Sequence, residues 1–326
     1  MGLCRIGSHK IVNEFGCDAI LCPPGKFHPE GAASNMGACR TCPQTSDRAS
    51  RKFLGRTTCP DATFVYGDAN ADGKLTIREV LRLFFLQTAG RHWGEKWQSW
   101  FDLSVPACDL AGIKCIDGKV VKLDLGGAIL CLNTNHKEGS ADQCSGIPAE
   151  IGRLTDLRVL AMPEQQYLMG TIPSEIGRLT KLEKLDLSFA RRLVGPIPSE
   201  IGKLTHLKWL NVSHCALQGP LPTEIGKLRN LEKINLSVNS FGGPMPSQIG
   251  NLRKLHELMI SRLLLTGSIP TTIGRLSSVE NVEIYGNLLN GTIPTQIGGC
   301  KSLKRLGEPP QSTFACQFRV VQHVMH

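Results

Sequence analysis

The stretch "GPIPSEIGKLTHLKWLNVS", Gly195 to Ser213, is repeated with small changes through much of the chain. Its Ile-Pro, Leu-Pro or Met-Pro step occurs seven times, at intervals of 25, 25 and then four times 24 residues. A fixed period of this length indicates stacked structural units, each of which packs only on its neighbours. The sequence therefore predicts a solenoid.

The leucines of each unit follow L-x-x-L-x-L, the pattern of a leucine-rich repeat. Because side chains on a strand alternate, the leucines point inward and the residues between them face a concave parallel sheet. From Val120 to about Leu306 the sequence resembles the plant-type subclass L-x-x-L-x-L-x-x-N-x-L-x-G-x-I-P-x-x-I-G-x-L, which receptor-kinase ectodomains, polygalacturonase-inhibiting proteins and secreted algal proteins share. The predicted fold class is α/β, a leucine-rich repeat solenoid with a concave parallel β-sheet.

A segment that resembles the N-terminal cap of this family, Leu81 to Leu125, precedes the repeats. A cap is needed because the exposed edge strand at the end of a solenoid must be covered. Ala111 stands where the cap usually has tryptophan. The residues that keep the cap pattern are Trp93, Trp97, Trp100, Cys108, Gly112 and Cys115. Apolar residues at helical spacing predict an amphipathic helix over 76–88.

The first part of the chain has a different composition, rich in Cys, Gly and Pro, which predicts a small disulfide-rich loop module. Its phrase "CPPGKFHPEGAASNMGACRTCP" resembles the cysteine-rich repeats of growth-factor-receptor and ephrin-receptor-like modules. The predicted domains are the cysteine-rich module at 1–62, an EF-hand-like loop and helix at 63–88, the cap at 89–119, the repeats at 120–299, and a C-terminal cap and tail at 300–326.

The formal charge of +9 does not indicate nucleic-acid binding, because the basic residues are spread along the repeats. In four repeats a glutamate precedes a basic residue by three positions, which predicts local ion pairs. These pairs are Glu150 with Arg153, Glu175 with Arg178, Glu200 with Lys203, and Glu224 with Lys227. No apolar run is long enough to predict a membrane span in this chain.

Thirteen cysteines without a redox or haem motif predict an oxidising compartment, and hence an extracellular or cell-surface location. Outside the N-terminal module their grouping predicts three disulfides and one unpaired thiol, Cys215. The predicted pairs are Cys108 with Cys115, Cys131 with Cys144, and Cys300 with Cys316. Zinc bound by Cys17, Cys22, Cys39 and Cys42 is the alternative for the module. The first 20 residues show no signal peptide, which conflicts with export unless the chain begins further upstream.

The segment "DANADGKLTIRE", Asp68 to Glu79, matches the EF-hand calcium loop D-x-[DN]-x-[DN]-G-x5-E. It predicts a Ca²⁺ site in which side-chain and backbone oxygens are the ligands. The predicted ligands are Asp68, Asn70, Asp72, Lys74 (through its carbonyl), Thr76 and Glu79. A polar turn that caps the following helix is the alternative.

The exposed positions of the repeat strands form columns along the concave face, where aromatic and basic side chains would serve as contact anchors. The predicted ligand-binding residues are Lys184, Asp186, Phe189, Trp209, Asn211, His214, Lys233, Asn235, Glu257, Met259, Arg262, Asn281, Glu283 and Tyr285, with Ser188, Ser213, Ser237 and Ser261 as further outward residues. Three glycosylation sequons begin at Asn211, Asn235 and Asn290. No catalytic residues are predicted, because no Ser-His-Asp or metal-ligand cluster has a consistent place across the repeats.

The inward asparagine that bonds the turns between coils is retained at Asn239 and Asn287. Cys215 replaces it in one coil and is predicted to be a buried thiol. Gln165, Ala190 and Leu263 occupy the position elsewhere, so these coils are expected to lose a hydrogen-bonding side chain.

The predicted function is extracellular, non-enzymatic recognition of a protein, peptide or polysaccharide through the repeat surface. One alternative is a truncated ectodomain of a membrane receptor. A second is a calcium-dependent structural or adhesion protein of the cell wall or matrix, and a third is an intracellular scaffold with zinc in the cysteine module. Fold and function are separable in solenoids, so the sequence does not name the ligand.

Overall fold

The structure, a computed structural model, describes residues 75–88, 90, 93–100, 102, 104–130 and 146–307. It also describes four two-residue strands, β1 (Arg5–Ile6), β2 (Lys10–Ile11), β3 (Lys26–Phe27) and β4 (Arg40–Thr41). β1 pairs with β2 and β3 with β4, both antiparallel. The chain divides into two compact units, Met1–Glu79 and Val80–His326. This division falls inside the helix that the apolar spacing predicts.

The helix α1 (Ile77–Gln87) begins with a reciprocal capping box. The backbone N–H of Thr76 donates to Glu79 Oε2 at 2.7 Å, and the N–H of Glu79 donates to Thr76 Oγ1 at 3.2 Å. Each side chain satisfies a donor that the first turn of a helix leaves without a partner. Thr76 and Glu79 therefore cap the helix, and the Ca²⁺ site stays a prediction because its other ligand residues lie outside the described residues.

An aromatic cluster forms the core of the cap within the second unit. The ring of Trp93 lies 5.1 Å from Phe85 and 5.0 Å from Trp100, centroid to centroid. The indole N–H of Trp100 donates to the carbonyl of Ala111 at 3.0 Å. The backbone of residue 111 therefore takes part in the cap, although alanine replaces the usual tryptophan there. A disulfide joins Cys108 to Cys115, as the sequence predicts.

Two sheets follow the cap along the repeats. Their strands are β5 (Ile113–Ile116), β6 (Lys119–Asp124), β7 (Val159–Ala161), β8 (Met169–Gly170), β9 (Lys184–Asp186), β10 (Arg192–Gly195), β11 (Trp209–Asn211), β12 (Ala216–Pro220), β13 (Lys233–Asn235), β14 (Ser240–Pro244), β15 (Glu257–Met259), β16 (Leu264–Gly267), β17 (Asn281–Glu283), β18 (Leu288–Leu289) and β19 (Arg305–Leu306). The concave sheet has the order β19-β17-β15-β13-β11-β9-β7-β6-β5, and only its β5–β6 pair is antiparallel. The second sheet, β18-β16-β14-β12-β10-β8, is parallel throughout.

The other side of each coil is a short 3-10 helix that follows a proline. The proline fixes φ just before the turn, and the glycine inside the turn lets the next coil pack closely, since a Cβ at Gly226 would lie 2.5 Å from the carbonyl of Gln248. These return helices are Ala149–Arg153, Ser174–Arg178, Ser199–Lys203, Thr223–Lys227, Ser247–Asn251, Thr271–Arg275 and Thr295–Gly299, and the cap adds Glu95–Trp100 and Ala107–Asp109.

The ion pairs predicted inside the return helices do not form. Three of the four glutamates accept a hydrogen bond from the preceding hydroxyl instead, as when Ser199 Oγ donates to Glu200 Oε2 at 3.2 Å. Several observed ion pairs join neighbouring coils. Those pairs are Lys181 with Asp156, Lys208 with Glu183, Lys233 with Glu257, and Lys304 with Glu280.

The turns between coils are bonded by inward side chains, with one correction to the sequence analysis. Asn239 Nδ2 donates to Val212 O at 2.8 Å, and its Oδ1 accepts from Leu217 N at 3.0 Å. Gln165 was expected to leave its coil without such bonds, but its longer amide accepts from Leu130 N at 3.0 Å and donates to Leu125 O at 3.2 Å. The extra methylene of glutamine lets it act as the asparagine does.

The predicted Cys300–Cys316 disulfide is wrong for Cys300, which is a free, buried thiol. Cys300 occupies the return-helix position that Leu276 fills in the preceding coil, so its sulfur points into the core and donates to Ile273 O at 3.2 Å. Cys316 and the predicted pair Cys131–Cys144 lie outside the described residues.

Candidate ligand-binding face

The register of the concave sheet places the predicted columns as alternation requires. Trp209 is paired with Lys184 on one side and Lys233 on the other, and the row continues through Glu257 to Asn281. The parallel column contains Asp186, Asn211, Asn235, Met259 and Glu283. Between the columns lie inward residues such as Leu210, which is fully buried.

Trp209 is the centre of the first column. All four tryptophans of the chain are described; Trp209 is 37% exposed, whereas each of the three in the cap is 1% exposed. Lys184 Nζ lies 3.7 Å from the centroid of the Trp209 ring and 3.5 Å from Asp186 Oδ2. The cation–π contact and the carboxylate together hold the lysine over the face of the indole.

A shallow cavity of about 120 Å³ lies beside this ring. It is lined by Trp209, Asn211, Lys233, Ile234, Asn235, Glu257 and Met259. Lys233 Nζ donates to Glu257 Oε1 at 2.6 Å, so the two charges largely compensate each other. The small cavity could hold one apolar side chain of an extended polypeptide, because an aromatic ring, a thioether and two amides surround it.

Hydrogen bonds at the ends of the strands hold side chains of the second column. Asp186 Oδ1 accepts from Ser188 Oγ at 2.7 Å, and Asn211 Oδ1 accepts from Ser213 Oγ at 2.8 Å. Ser188, Ser213 and Ser261 are buried, which corrects the expectation that they face outward. The hydroxyls of Ser188 and Ser213 bond the side chain two residues earlier and brace the turn, whereas the buried hydroxyl of Ser261 has no hydrogen-bond partner among the described residues. None of the three side chains contributes to the concave surface.

The residues after Ser188, Ser213, Ser237 and Ser261 adopt left-handed backbone conformations, a feature that the sequence analysis missed. Their φ angles are +61° at Phe189, +56° at His214, +59° at Val238 and +53° at Arg262. Bulky and β-branched residues rarely adopt this region. A glycine, Gly286, stands at the same position in the last coil and was the available signal.

Two of these left-handed residues form an aromatic pair at the rim of the face. The rings of Phe189 and His214 stack 4.3 Å apart with an interplanar angle of 9°. Burial lowers the pKa of His214 below its usual value, and the nearby cations Arg191 and Arg262 lower the pKa further. The imidazole is therefore neutral near pH 7 and presents an uncharged aromatic surface.

The remaining predicted site residues lie apart from this centre or outside the described segments. Asn281 and Glu283 lie on β17 toward the C-terminal end of the sheet, followed by Tyr285, and Asn281 Nδ2 contacts Glu283 Oε1 at 3.4 Å. Of the calcium residues only Thr76 and Glu79 are described, and Asp68, Asn70, Asp72 and Lys74 are not. In the described part of the chain, no group of three His, Cys, Asp or Glu residues is arranged to hold a metal.

The sequons differ in their surroundings. Asn211 and Asn235 lie on the concave face, half-buried, with Oδ1 accepting from the backbone N–H of Ser213 and Ser237 respectively. Asn290 is exposed beyond β18 of the second sheet. Glycans at the first two positions would cover the Trp209 cavity, so occupancy there and ligand binding at this face exclude each other.

Comparison with known proteins agrees with this geometry. Residues 185–309 match the model of the leucine-rich repeat region. Among solved structures, the ectodomain of the Arabidopsis thaliana membrane receptor kinase GASSHO1/SCHENGEN3, in complex with CASPARIAN STRIP INTEGRITY FACTOR 2, has a TM-score of 0.60 and 29% identity over 69% of this chain. The structure of PEPR1-AtPEP1 has a TM-score of 0.59 and 28% identity over 69% of this chain.

A plant ice-binding protein is also similar, with a TM-score of 0.52 and 27% identity over 65% of this chain and 64% of its own. The matched part spans only 26% and 30% of the GASSHO1/SCHENGEN3 and PEPR1 chains. No curated protein matches the chain. Within the described residues, no helix is long and apolar enough to cross a membrane. The repeats form a leucine-rich repeat solenoid similar to the ectodomains of plant receptor kinases.

Proposed function

We propose that this chain is an extracellular or cell-surface recognition protein that binds an extended polypeptide along its concave face. The observation that carries the proposal is the half-exposed Trp209, held by Lys184 above a small cavity lined by Asn211, Asn235 and Met259. Large aromatic residues at the centre of an interface contribute most of its binding energy. The similar ectodomain of GASSHO1/SCHENGEN3 was solved in complex with CASPARIAN STRIP INTEGRITY FACTOR 2, which supports a binding role.

The geometry favours a polypeptide over a polysaccharide at this face. The side-chain amides of Asn211 and Asn235 lie one coil apart in register and can bond the backbone of a chain that crosses the strands. The cavity takes one apolar side chain against Trp209 and Met259. The paired charges of Lys233 and Glu257 add no net charge to attract an acidic polymer. No catalytic step is proposed for these residues.

Selection from a random peptide library tests the proposal. Peptides displayed on phage would be enriched on the glycan-free chain, then measured on Trp209→Ala and on Leu288→Ala, a control that truncates an exposed residue of the second sheet. Enriched peptides should bind Trp209→Ala at least about tenfold more weakly, and the control unchanged. Peptides that bind all three proteins equally would contradict the proposed site.

We also propose that the loop from Asp68 to Glu79 binds Ca²⁺, as its match to the EF-hand pattern implies. The described end of the loop fits, because Glu79 turns its carboxylate back over the start of α1. Calorimetric titration with Ca²⁺ should show binding that Glu79→Gln abolishes and that Glu95→Gln, an exposed control, retains. Equal heats for both variants would exclude this loop as the site.

A further inference from the structure

A second cleft lies on the return side of the solenoid, opposite the concave sheet, between the fourth and fifth return helices. Its volume is about 680 Å³. The lining residues are Thr205, Thr223, Gly226, Lys227, Arg229, Asn230, Gln248 and Asn251. The lining thus contains two cations, two hydroxyls and three amides, but no carboxylate.

The repeat itself shows why this cleft is cationic. In the preceding coil the position of Arg229 is Thr205, and the position of Gln248 is Glu224. Two substitutions relative to the repeat therefore add a cation and remove an anion at the same place. Lys227 and Arg229 are exposed, and neither has an ion-pair partner among the described residues.

The cations continue beyond the cleft along the return side. From 223–230 to 295–302 the return segments contain one acidic residue, Glu224, and six basic residues: Lys227, Arg229, Arg253, Lys254, Arg275 and Lys301. The three return segments before them, within 149–206, contain four of each sign. A surface with uncompensated positive charge attracts a polymer of negative charge.

The side-chain amide of Asn230, in the wall of the cleft, is already oriented. Asn230 Nδ2 donates to Thr205 O at 2.8 Å, and Lys254 Nζ donates to Asn230 Oδ1 at 2.8 Å. These bonds fix the amide and bring a third cation to the edge of the cleft. Hydroxyls and amides that alternate with cations match a ligand that has both hydroxyl and anionic groups.

We infer that this return-side cleft, with the basic surface that continues from it, binds an acidic polysaccharide. The strands of neighbouring coils are roughly 4.8 Å apart, and each coil adds one return segment to the opposite side. A polymer with one anionic group per sugar can therefore place successive charges near successive coils. Nucleic acid fits less well, since the return segments 223–230, 247–254, 271–278 and 295–302 contain no aromatic residue on which a base could stack. The site is separate from the concave face and does not depend on the function proposed for it.

The decisive variant gives the cleft the residues that the preceding coil has, Arg229→Thr with Gln248→Glu. Because the repeat already accommodates both residues, the solenoid should fold, and an unchanged unfolding midpoint checks this. The matched control, Arg178→Gln with Lys203→Gln, lowers the net charge by the same two units on earlier coils. The probes are alginate oligosaccharides, dextran sulfate, neutral dextran and a single-stranded DNA oligonucleotide, titrated against the full chain.

The cleft variant should bind alginate or dextran sulfate roughly tenfold more weakly at low salt. The slope of log binding constant against log salt concentration should fall in magnitude by about 2. The control should bind as wild type does. Preference for alginate identifies a carboxylated polymer and preference for dextran sulfate a sulfated one, and either supports the site. No binding of either polymer, equal weakening of both variants, or binding of DNA as tight as that of the polysaccharides would overturn the assignment.

Discussion

Lys184 Nζ lies 3.7 Å from the centre of the Trp209 ring, one coil away on the concave sheet. The contact joins neighbouring strands through side chains as well as through backbone hydrogen bonds. It also orients the indole, since Asp186 holds the same ammonium group at 3.5 Å. The exposed indole of Trp209 is thereby held in place before any ligand arrives, which lowers the entropy lost on binding.

The strength of this contact can be measured directly. A double-mutant cycle of Lys184→Met and Trp209→Leu, followed by urea unfolding, should give a coupling free energy of about 0.5–1 kcal/mol. Lys208→Met in the same cycle is the control, because Lys208 pairs with Glu183. A coupling no larger than that of the control would show that the lysine does not interact with the ring in solution.

The left-handed residues predict a site where stability can be gained. Val238 is β-branched at φ +59°, and asparagine tolerates this region better. Val238→Asn should therefore raise the free energy of unfolding by about 1 kcal/mol. Val194→Asn, at an exposed strand residue without positive φ, should give no gain. A loss of stability in Val238→Asn would mean that the strain is absent.

Replacement of Asn239, the buried asparagine of the fourth coil, should greatly reduce stability. Asn239→Ala removes the partner of Leu217 N and of Val212 O, both in the core, so the free energy of unfolding should fall by about 2–3 kcal/mol. Asn290→Ala, at an exposed asparagine, should change it by less than about 0.5 kcal/mol. Similar effects of the two changes would contradict the bonding role of Asn239.

The thiol of Cys215 predicts a dependence of stability on alkaline pH. Burial raises the pKa of Cys215 to about 12, while the unfolded thiol ionises near pH ~8.5. The unfolded state therefore loses its proton first, and above that pH the free energy of unfolding should fall by up to about 1.4 kcal/mol per pH unit from this group. In Cys215→Ala the fall should be smaller by this amount. Identical pH profiles would show that the folded thiol ionises normally.

Much of the fold follows from the repeat alone, because burial imposes the same apolar positions on every coil. Alternation was sufficient to place Trp209 beside Lys184 and Lys233. The side-chain geometry was not predictable, since the contact between Lys184 and the indole depends on rotamers that the repeat leaves free. The left-handed conformations at Phe189 and Val238 were missed because their side chains disfavour them.

Two further differences between the sequence-based expectations and the structure arise because the surrounding coils determine what a residue does. Cys300 was assigned to a disulfide from its position after the last Ile-Pro step, although its alignment with Leu276 indicates a core residue. Gln165 was judged unable to replace asparagine, yet its amide reaches the same backbone groups. The cationic cleft likewise depends on two coils together, because Arg229 and Gln248 meet only when adjacent turns stack.

Acrylamide quenching of tryptophan fluorescence tests the concave-face account most directly. The three cap tryptophans are buried, so quenching of the free protein reports Trp209. A bound polypeptide should abolish the quenchable fraction in proportion to occupancy, and Trp209→Leu should show little quenching with or without ligand. A polypeptide that binds while Trp209 remains as accessible as in the free protein would contradict recognition at the concave face.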